Sequence, residues 1–443
     1  MRSALKYAFA EYGMVVVLLA LCLLFSLLTI RQQAATGAAG GQSLAEDLLS
    51  RHREGKFIVL ASGGDEDRAF VQALERGLTQ GGGTVVGKGV GDPRAGRQAL
   101  VAAVNQIPPP DAIAVSGVAA GWVLLESIGT DFPALASVPI VRAESRSWPD
   151  FLKLGNLLNI ANHIVVVAII AIGMTMVVIT GGIDLSVGSV IALSAITTGL
   201  MIERSFGATE AGVGGMLTAC AAALAVATLV GLFNGAVITL TDVPPFIVTL
   251  STMLMSKGFA YLLPDGQEAH RLPPSFVWLG RGAWWGLPHS VALMGALYVA
   301  AHVLMSRTVL GRHIYAVGGN PLAARLSGIV NARVLIFAYV VCSFLAGLGG
   351  IVMASELKSG SPRYGQMYEL YVIAAVVVGG TSLNGGRGTM FGTLIGAMII
   401  AVIRNGMNLL HVEAYTQDVV FGAVILGAAI LDQFKNRRLR AVG

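Results

Sequence analysis

The chain has 443 residues, 55% of them hydrophobic and only 12% charged, with a formal net charge of +5 and a mean hydropathy of +0.72. Those values exclude one large soluble protein and describe a polytopic membrane chain. The positive charge requires no nucleic-acid partner, because the basic excess falls in loops and a tail that belong on the cytoplasmic side.

The first apolar run, Met14 to Ile30, follows a short segment carrying Arg2 and Lys6. It reads as a first membrane helix, with a cleaved signal peptide as the competing reading. Further apolar runs fall near 161–179, 184–202, 212–232, 244–263, 288–305, 333–353, 370–380, 390–410 and 418–433. Connections rich in Arg and Lys belong in the cytoplasm, and the clearest are 307–333 and the tail Lys435 to Arg440. Ten spans with both termini inside satisfy that rule. The same parity places 31–160, 203–211, 264–287, 354–369 and 411–417 outside. The expected fold is therefore an all-α polytopic membrane protein of about ten helices with a small α/β extracytoplasmic insertion. Its parts are the N-terminus and first helix (1–30), the insertion (31–150), a transmembrane core (151–434) and a basic cytoplasmic tail (435–443).

Within the insertion, charges return and the apolar runs shorten. Phe57 to Leu60, Thr84 to Val86, Ala112 to Val115 and Val138 to Val141 read as short buried strands. Helical stretches separate them: Phe70, Leu74 and Leu78 recur every fourth residue, Arg97 to Val104 supplies another, and Trp122 to Ile128 a third. Strand alternating with helix predicts a small parallel sheet covered on both faces. The Gly63-Gly64-Asp65 turn and the run Pro110 to Ser116 resemble one lobe of a periplasmic sugar-binding protein. Half a cleft leaves a ligand solvated, which favours a docking or regulatory module over a complete sugar site. Gly81-Gly82-Gly83 lacks the lysine and hydroxyl residue of a phosphate-binding loop.

Between the second and third apolar runs stands Thr180-Gly181-Gly182-Ile183-Asp184-Leu185-Ser186-Val187-Gly188-Ser189-Val190. One reading makes Asp184 the cap of a helix beginning at Leu185, accepting from its free amides. The other adds that a carboxylate at membrane depth beside a broken helix marks a polar path, with Ser186 and Ser189 as companions. Asn234, Thr249 and Asn405 are further path candidates, each with an ordinary helix-helix hydrogen bond as the alternative. Cys22, Cys220 and Cys342 fall in separate apolar runs without metal-like spacing. His163 reads as interfacial, Arg404 as a snorkelling residue, and Trp278, Trp284 and Trp285 as headgroup-zone anchors beside an external loop.

In the basic connection, Asn320 can cap, Pro321 suits a first helical position and Gly328 can terminate. About seven residues, through Ala323, Ala324, Arg325, Leu326 and Ser327, should form a short helix with defined ends. Farther on, Val377 to Thr389 repeats the phrase at 180: valines, a Gly379-Gly380 pair, then Leu383-Asn384 and a second pair, Gly385-Gly386. The match between Gly181-Gly182 and Gly379-Gly380 suggests an internal repeat, as transporter halves often show.

These segments, with Asn156 to Ile160, Gly173-Met174-Thr175, Pro245 to Leu250, Glu369-Leu370 and Asn405-Gly406-Met407, resemble the permease subunit of ribose/galactose-type monosaccharide ABC importers. The resemblance covers the first span and nearly all of 151–432. It implies a dimer of this chain with a second copy or paralogue in the bacterial inner membrane. It also implies a separate ABC ATPase subunit pair that binds ATP and Mg, and an extracytoplasmic binding protein that delivers sugar. The segment matching 318–329 supplies the ATPase-coupling helix in that family. The family's short link between the first two spans is replaced here by the insertion, so its usual mode of binding-protein docking is not carried over. After Gly328 the chain reads Ile-Val-Asn-Ala-Arg where the family pattern is Ile-Asn-Val-Lys-Arg.

No G-x-x-x-x-G-K-[ST] sequence occurs, so ATP hydrolysis by that route falls to a partner. The chain is thus expected to be a transporter subunit with no catalytic residue, bound metal or cofactor of its own. Two other classes compete: an ion-coupled secondary sugar transporter using Asp184, and a membrane sensor whose external domain binds sugar.

Overall fold

The computed structural model describes residues 2–34, 37–104, 108–143 and 145–440, with side chains described except at 2–12, 32–34, 145–146 and 431–440. The side chains of Arg2 and Lys6, ahead of the first apolar run, and of the basic tail from Lys435 lie outside the described residues. The chain divides into two compact units, Met1–Leu28 with Phe151–Gly443, and Thr29–Asp150.

Helix α1 (Arg2–Leu28) belongs to the larger unit. The smaller unit runs β1 (Ile30–Ala34), α2 (Gly37–Arg51), β2 (Lys56–Ser62), α3 (Asp65–Gln80), β3 (Thr84–Gly91), α4 (Pro93–Val104), β4 (Ala112–Val115), α5 (Val123–Glu126), α6 (Ile128–Asp131), β5 (Ile140–Arg142) and β6 (Ser145–Pro149). Strands β3-β2-β4-β5 form a parallel sheet, and β1 pairs antiparallel with β6. Alternate residues of β2 serve opposite faces: Phe57 and Val59 meet Leu48, Phe70 and Leu74, while Ile58 and Leu60 meet Leu100, Ile113 and Val115. The helix expected over 122–128 is instead two single turns. Ser127 ends one and opens the next, and its hydroxyl bonds to Leu124 O at 3.4 Å in competition with the helical ladder.

The larger unit continues with α7 (Leu154–Ile179), α8 (Val187–Ser205), α9 (Val213–Thr241), α10 (Pro245–Leu262), α11 (Trp278–Arg281), a hairpin of β7 (Ala283–Trp284) and β8 (Leu287–Pro288), then α12 (His289–Arg307), α13 (Val309–Gly319), α14 (Pro321–Leu326), α15 (Asn331–Leu357), α16 (Tyr368–Val378), α17 (Met390–Leu409) and α18 (Ala414–Arg440). Among the described residues six helices are long and apolar enough to cross a membrane: α7, α8, α9, α12, α15 and α17. Shorter apolar stretches lie at Gly13–Leu28 and Ala414–Ile430. The run at 370–380, expected as a full span, forms an 11-residue helix. At about 1.5 Å per residue it covers roughly half of a hydrocarbon core about 30 Å thick.

Helix α7 is the axis of this unit. Every residue from Ile164 to Ile179 is buried, as expected for a helix that is apolar all round. Helix α15 packs against α7, α8 and α9. Its contact with α9 is close because α9 offers Ala219, Ala223, Ala227 and Gly231 at four-residue spacing on its buried side, a small-residue stripe that lets backbones approach. The β7–β8 turn carries Trp285, fully exposed, while Trp278 and Trp284 flank the His289 ring at 4.2 and 4.5 Å.

Candidate functional site

Helix α7 ends in a left-handed cap. Gly181 has φ +85°, Gly181 N–H donates to Val178 O at 2.9 Å and Gly182 N–H to Val177 O at 3.0 Å, the pattern that satisfies the last free carbonyls. Gly182 lies against the Tyr339 phenol, where a Cβ would collide. The chain then stays irregular until α8 begins at Val187.

Asp184 sits in that gap, fully buried. Its Oδ1 accepts from Ser186 N–H at 2.9 Å and Ser186 Oγ at 2.6 Å. This corrects the expected role: the helix starts three residues after Asp184, and the carboxylate folds a local turn ahead of it instead of capping its free amides. Asn234 Nδ2, from α9, donates to Ser186 Oγ at 3.1 Å, Ser189 Oγ donates to Ser186 O at 2.7 Å, and Thr249 Oγ1, from α10, reaches Ile183 O at 3.2 Å. Five of the six path candidates therefore converge on one break. Among the described residues Asn234 Oδ1 and the Tyr339 hydroxyl, both buried, have no hydrogen-bond partner, and Asp184 Oδ2 has only the Cys342 thiol beside it. Buried acceptors without donors are costly, so opening this break would expose a polar surface ready for water or hydroxyls. Gly188, in the first turn of α8, is crowded by Gly365 O and the Glu369 carboxylate.

The second glycine phrase folds the same way. Gly380 has φ +85°, Gly380 N–H donates to Val377 O at 2.9 Å, and Thr381 N–H to Val376 O at 3.1 Å. The structural equivalence therefore pairs Gly181 with Gly380 and shifts the sequence-based repeat by one residue. Only the residue that must take positive φ defines the register; Gly379, which the sequence alignment set opposite Gly181, keeps ordinary helical φ and is a close-packing position against Gly392.

The two breaks touch through a third element. Gly386 N–H donates to Ile179 O at 2.8 Å. Gly318, near the end of α13, lies on Ile179 O and Gly386 N so tightly that any Cβ would overlap them. Tyr315 OH donates to Gly388 O at 2.7 Å. Gly385 and Gly386, with φ +83° and +73°, complete the seat. Helix α14 follows at once. Asn320 Oδ1 accepts from Ala323 N–H at 3.0 Å, Pro321 opens the helix, Gly328 takes φ +82°, and Ile329 N–H closes onto Ala324 O at 3.0 Å. Ser327 Oγ donates to Ala323 O at 2.9 Å. Ala324 is buried whereas Leu322 and Leu326, one turn apart, are 67% and 82% exposed, leaving apolar side chains on the surface.

Asn405 does not join the Asp184 cluster. It exchanges two amide hydrogen bonds with Asn156, at 2.8 and 3.0 Å, and lines a cleft of about 370 Å³ between α7, α16 and α17 with Asn159, His163, Tyr368, Tyr371, Arg404 and Asn408. His163, expected to be interfacial, and Arg404, expected to snorkel, both line this cleft, and the guanidinium lies 5.3 Å over the Tyr371 ring. Helix α7 begins seven residues before its apolar run and so carries Asn159 into the cleft, which Asn408 enters from the last turn of α17. The available signal was a pair of asparagines three residues apart near the start of α7, repeated near the end of α17.

The family described as branched-chain amino acid transport system / permease component matches residues 156–429. The ribose import permease protein RbsC of Escherichia coli (strain K12) is 41% identical over 306 residues, covering 68% of this chain and 93% of that protein. RbsC of Bacillus subtilis (strain 168) is 41% identical over 291 residues, covering 65% and 88%. The L-arabinose transport system permease protein AraH of Escherichia coli (strain K12) is 36% identical over 294 residues, covering 66% and 87%. No solved structure matches the chain.

Proposed function

This chain belongs to the branched-chain amino acid transport system / permease component family, and on that premise we propose that it is the passive gate of a monosaccharide ABC importer, moved by its ATPase partner. It is a permease subunit, a multi-pass inner-membrane protein and not an enzyme. In the proposed assembly ten apolar helices cross the bilayer with both termini in the cytoplasm, and the unit at Thr29–Asp150 lies outside. Two permease copies or paralogues pair, partner subunits bind ATP and Mg, and a soluble binding protein delivers a ribose-like pentose or a hexose. The smaller unit would serve docking or regulation.

The observation that carries this reading is the seat at Gly318. Helix α14 presents exposed Leu322 and Leu326, and the residues just before it rest on the end of α7 and on the second glycine break. A displacement of α14 by closing ATPases would be transmitted through Gly318 to both breaks without a flexible linker between them. The Asp184 cluster would then part, offering Asp184, Ser186, Ser189, Asn234 and Thr249 to a passing sugar. Sealed membrane vesicles carrying the complete transporter test this. Uptake should require ATP and the ATPase partner, and uptake that persists without either, driven by an ion gradient, would overturn it.

The buried, half-paired Asp184 carboxylate favours one second reading, ion-coupled transport. Asp184→Asn separates the two: the amide keeps an acceptor for Ser186, so a structural Asp184 tolerates the change, whereas a coupling site loses gradient-driven transport.

A further inference from the structure

The geometry points to a low-affinity monosaccharide site inside the permease itself, in the cleft between α7, α16 and α17. This rests on the sugar-importer reading and gives that reading a place where the substrate is held after delivery. The cleft, about 370 Å³, lies at the small end of ligand pockets, which begin near ~300 Å³. One wall is polar: the reciprocal Asn156–Asn405 pair fixes two amides, Asn408 Oδ1 is held by Gln417 Nε2 at 2.8 Å so its own amide N–H groups are left to face a ligand, and Asn159 adds a further amide. The other wall is apolar, built from Ile160, Ile164 and Ile400 among others.

Arg404 is the decisive member. It makes no hydrogen bond or ion pair with any described residue, and only stacks over Tyr371 at 5.3 Å. Its planar fork of N–H donors is strongly stabilised by paired acceptors, and at this exposed position the described residues supply none. Vicinal hydroxyls of a sugar ring supply such paired oxygens, amides both give and accept hydrogen bonds to hydroxyls, and the C–H face of the ring suits the aliphatic wall and the Tyr371 ring.

The test uses the permease assembled with its ATPase partner in nanodiscs, without binding protein, and equilibrium binding of radiolabelled D-ribose and L-arabinose. Saturable binding of at least one sugar is expected, at roughly millimolar dissociation constant. Arg404→Gln and Asn159→Ala, both at solvent-facing positions, should each weaken it at least fivefold with unchanged melting temperature. Absence of saturable binding of both sugars, or binding unchanged in both variants, overturns the proposal. ATP-driven uptake in vesicles, measured in parallel, separates the two claims. Wild-type import with variants that bind and import normally removes the cleft and leaves the transport reading intact. Sugar binding that both substitutions weaken, without any ATP-dependent import, sustains the cleft and removes the transport reading.

Discussion

The two helix breaks share a backbone and differ in what fills them. Each ends a valine-rich helix with a glycine at φ +85° and the same pair of terminal hydrogen bonds. The first break then encloses a carboxylate, two serines and contacts from α9 and α10. The second encloses no acid; its Gly385-Gly386 pair forms a seat for Gly318. One local fold thus surrounds a buried polar cluster in one copy and the seat of Gly318 in the other. A repeat conserves the bend that its glycine permits, while the neighbours of each copy decide its use.

The largest expected effect breaks the linkage between them. Gly318→Val places branched carbons on the backbone of Ile179 and Gly386, where overpacking costs about 1–3 kcal/mol or more. Uptake should fall at least tenfold while basal ATP hydrolysis by the assembled transporter persists, as measured by parallel uptake and phosphate-release assays. Retained uptake would mean the seat transmits nothing.

Next comes the chemistry of the first break. Asp184→Ala strands the buried Ser186 N–H and hydroxyl, at about 1–3 kcal/mol for each unmet group, and should lower the melting temperature in detergent well below that of Asp184→Asn. Equal melting of the two variants would deny the carboxylate its structural part.

The equivalence of the two caps is sharpened by Gly181→Ala and Gly380→Ala. Both force an alanine into left-handed backbone at about 1–2 kcal/mol, so the two should destabilise alike, and Gly379→Ala, a packing position, should respond through Gly392 contacts instead. Calorimetry of the three variants that ranked Gly379→Ala with Gly181→Ala, and Gly380→Ala apart, would restore the one-residue-earlier register.

The smallest effect concerns α14. Asn320→Ala removes the cap at a cost of about 1 kcal/mol. Its expected signature is a several-fold weaker stimulation of ATPase activity by sugar-loaded binding protein, with normal assembly of the complex. Unchanged stimulation would separate α14 from signal transmission.

Much of this was legible in the chain. The Asn320-Pro321 start and Gly328 stop of α14 are local rules that hold without tertiary help. So is the four-residue rhythm of Phe70, Leu74 and Leu78, which α3 displays. Apolar runs located most long helices, since burial in lipid or protein demands the same side chains. Hydropathy could not reveal the start of α7, because Asn156 and Asn159 are polar and face a cleft assembled with α17, where Asn405 pairs with Asn156 from 249 residues away. The 370–380 run was already too short to span the bilayer as a straight helix, and α16 keeps that length of 11 residues between the left-handed residue Met367 at one end and Gly380 at the other.

By itself the sequence determined the class of the molecule, its lipid-compatible helices and the positions where the backbone must bend, because hydrophobic transfer and glycine conformational freedom act residue by residue. Only the tertiary structure decided that Asp184, Asn234 and Thr249 meet, that Asn405 pairs elsewhere, and that Gly318 clasps both breaks. Those outcomes depend on which distant helices approach closely enough to exchange hydrogen bonds, and that choice belongs to the packing of the whole bundle.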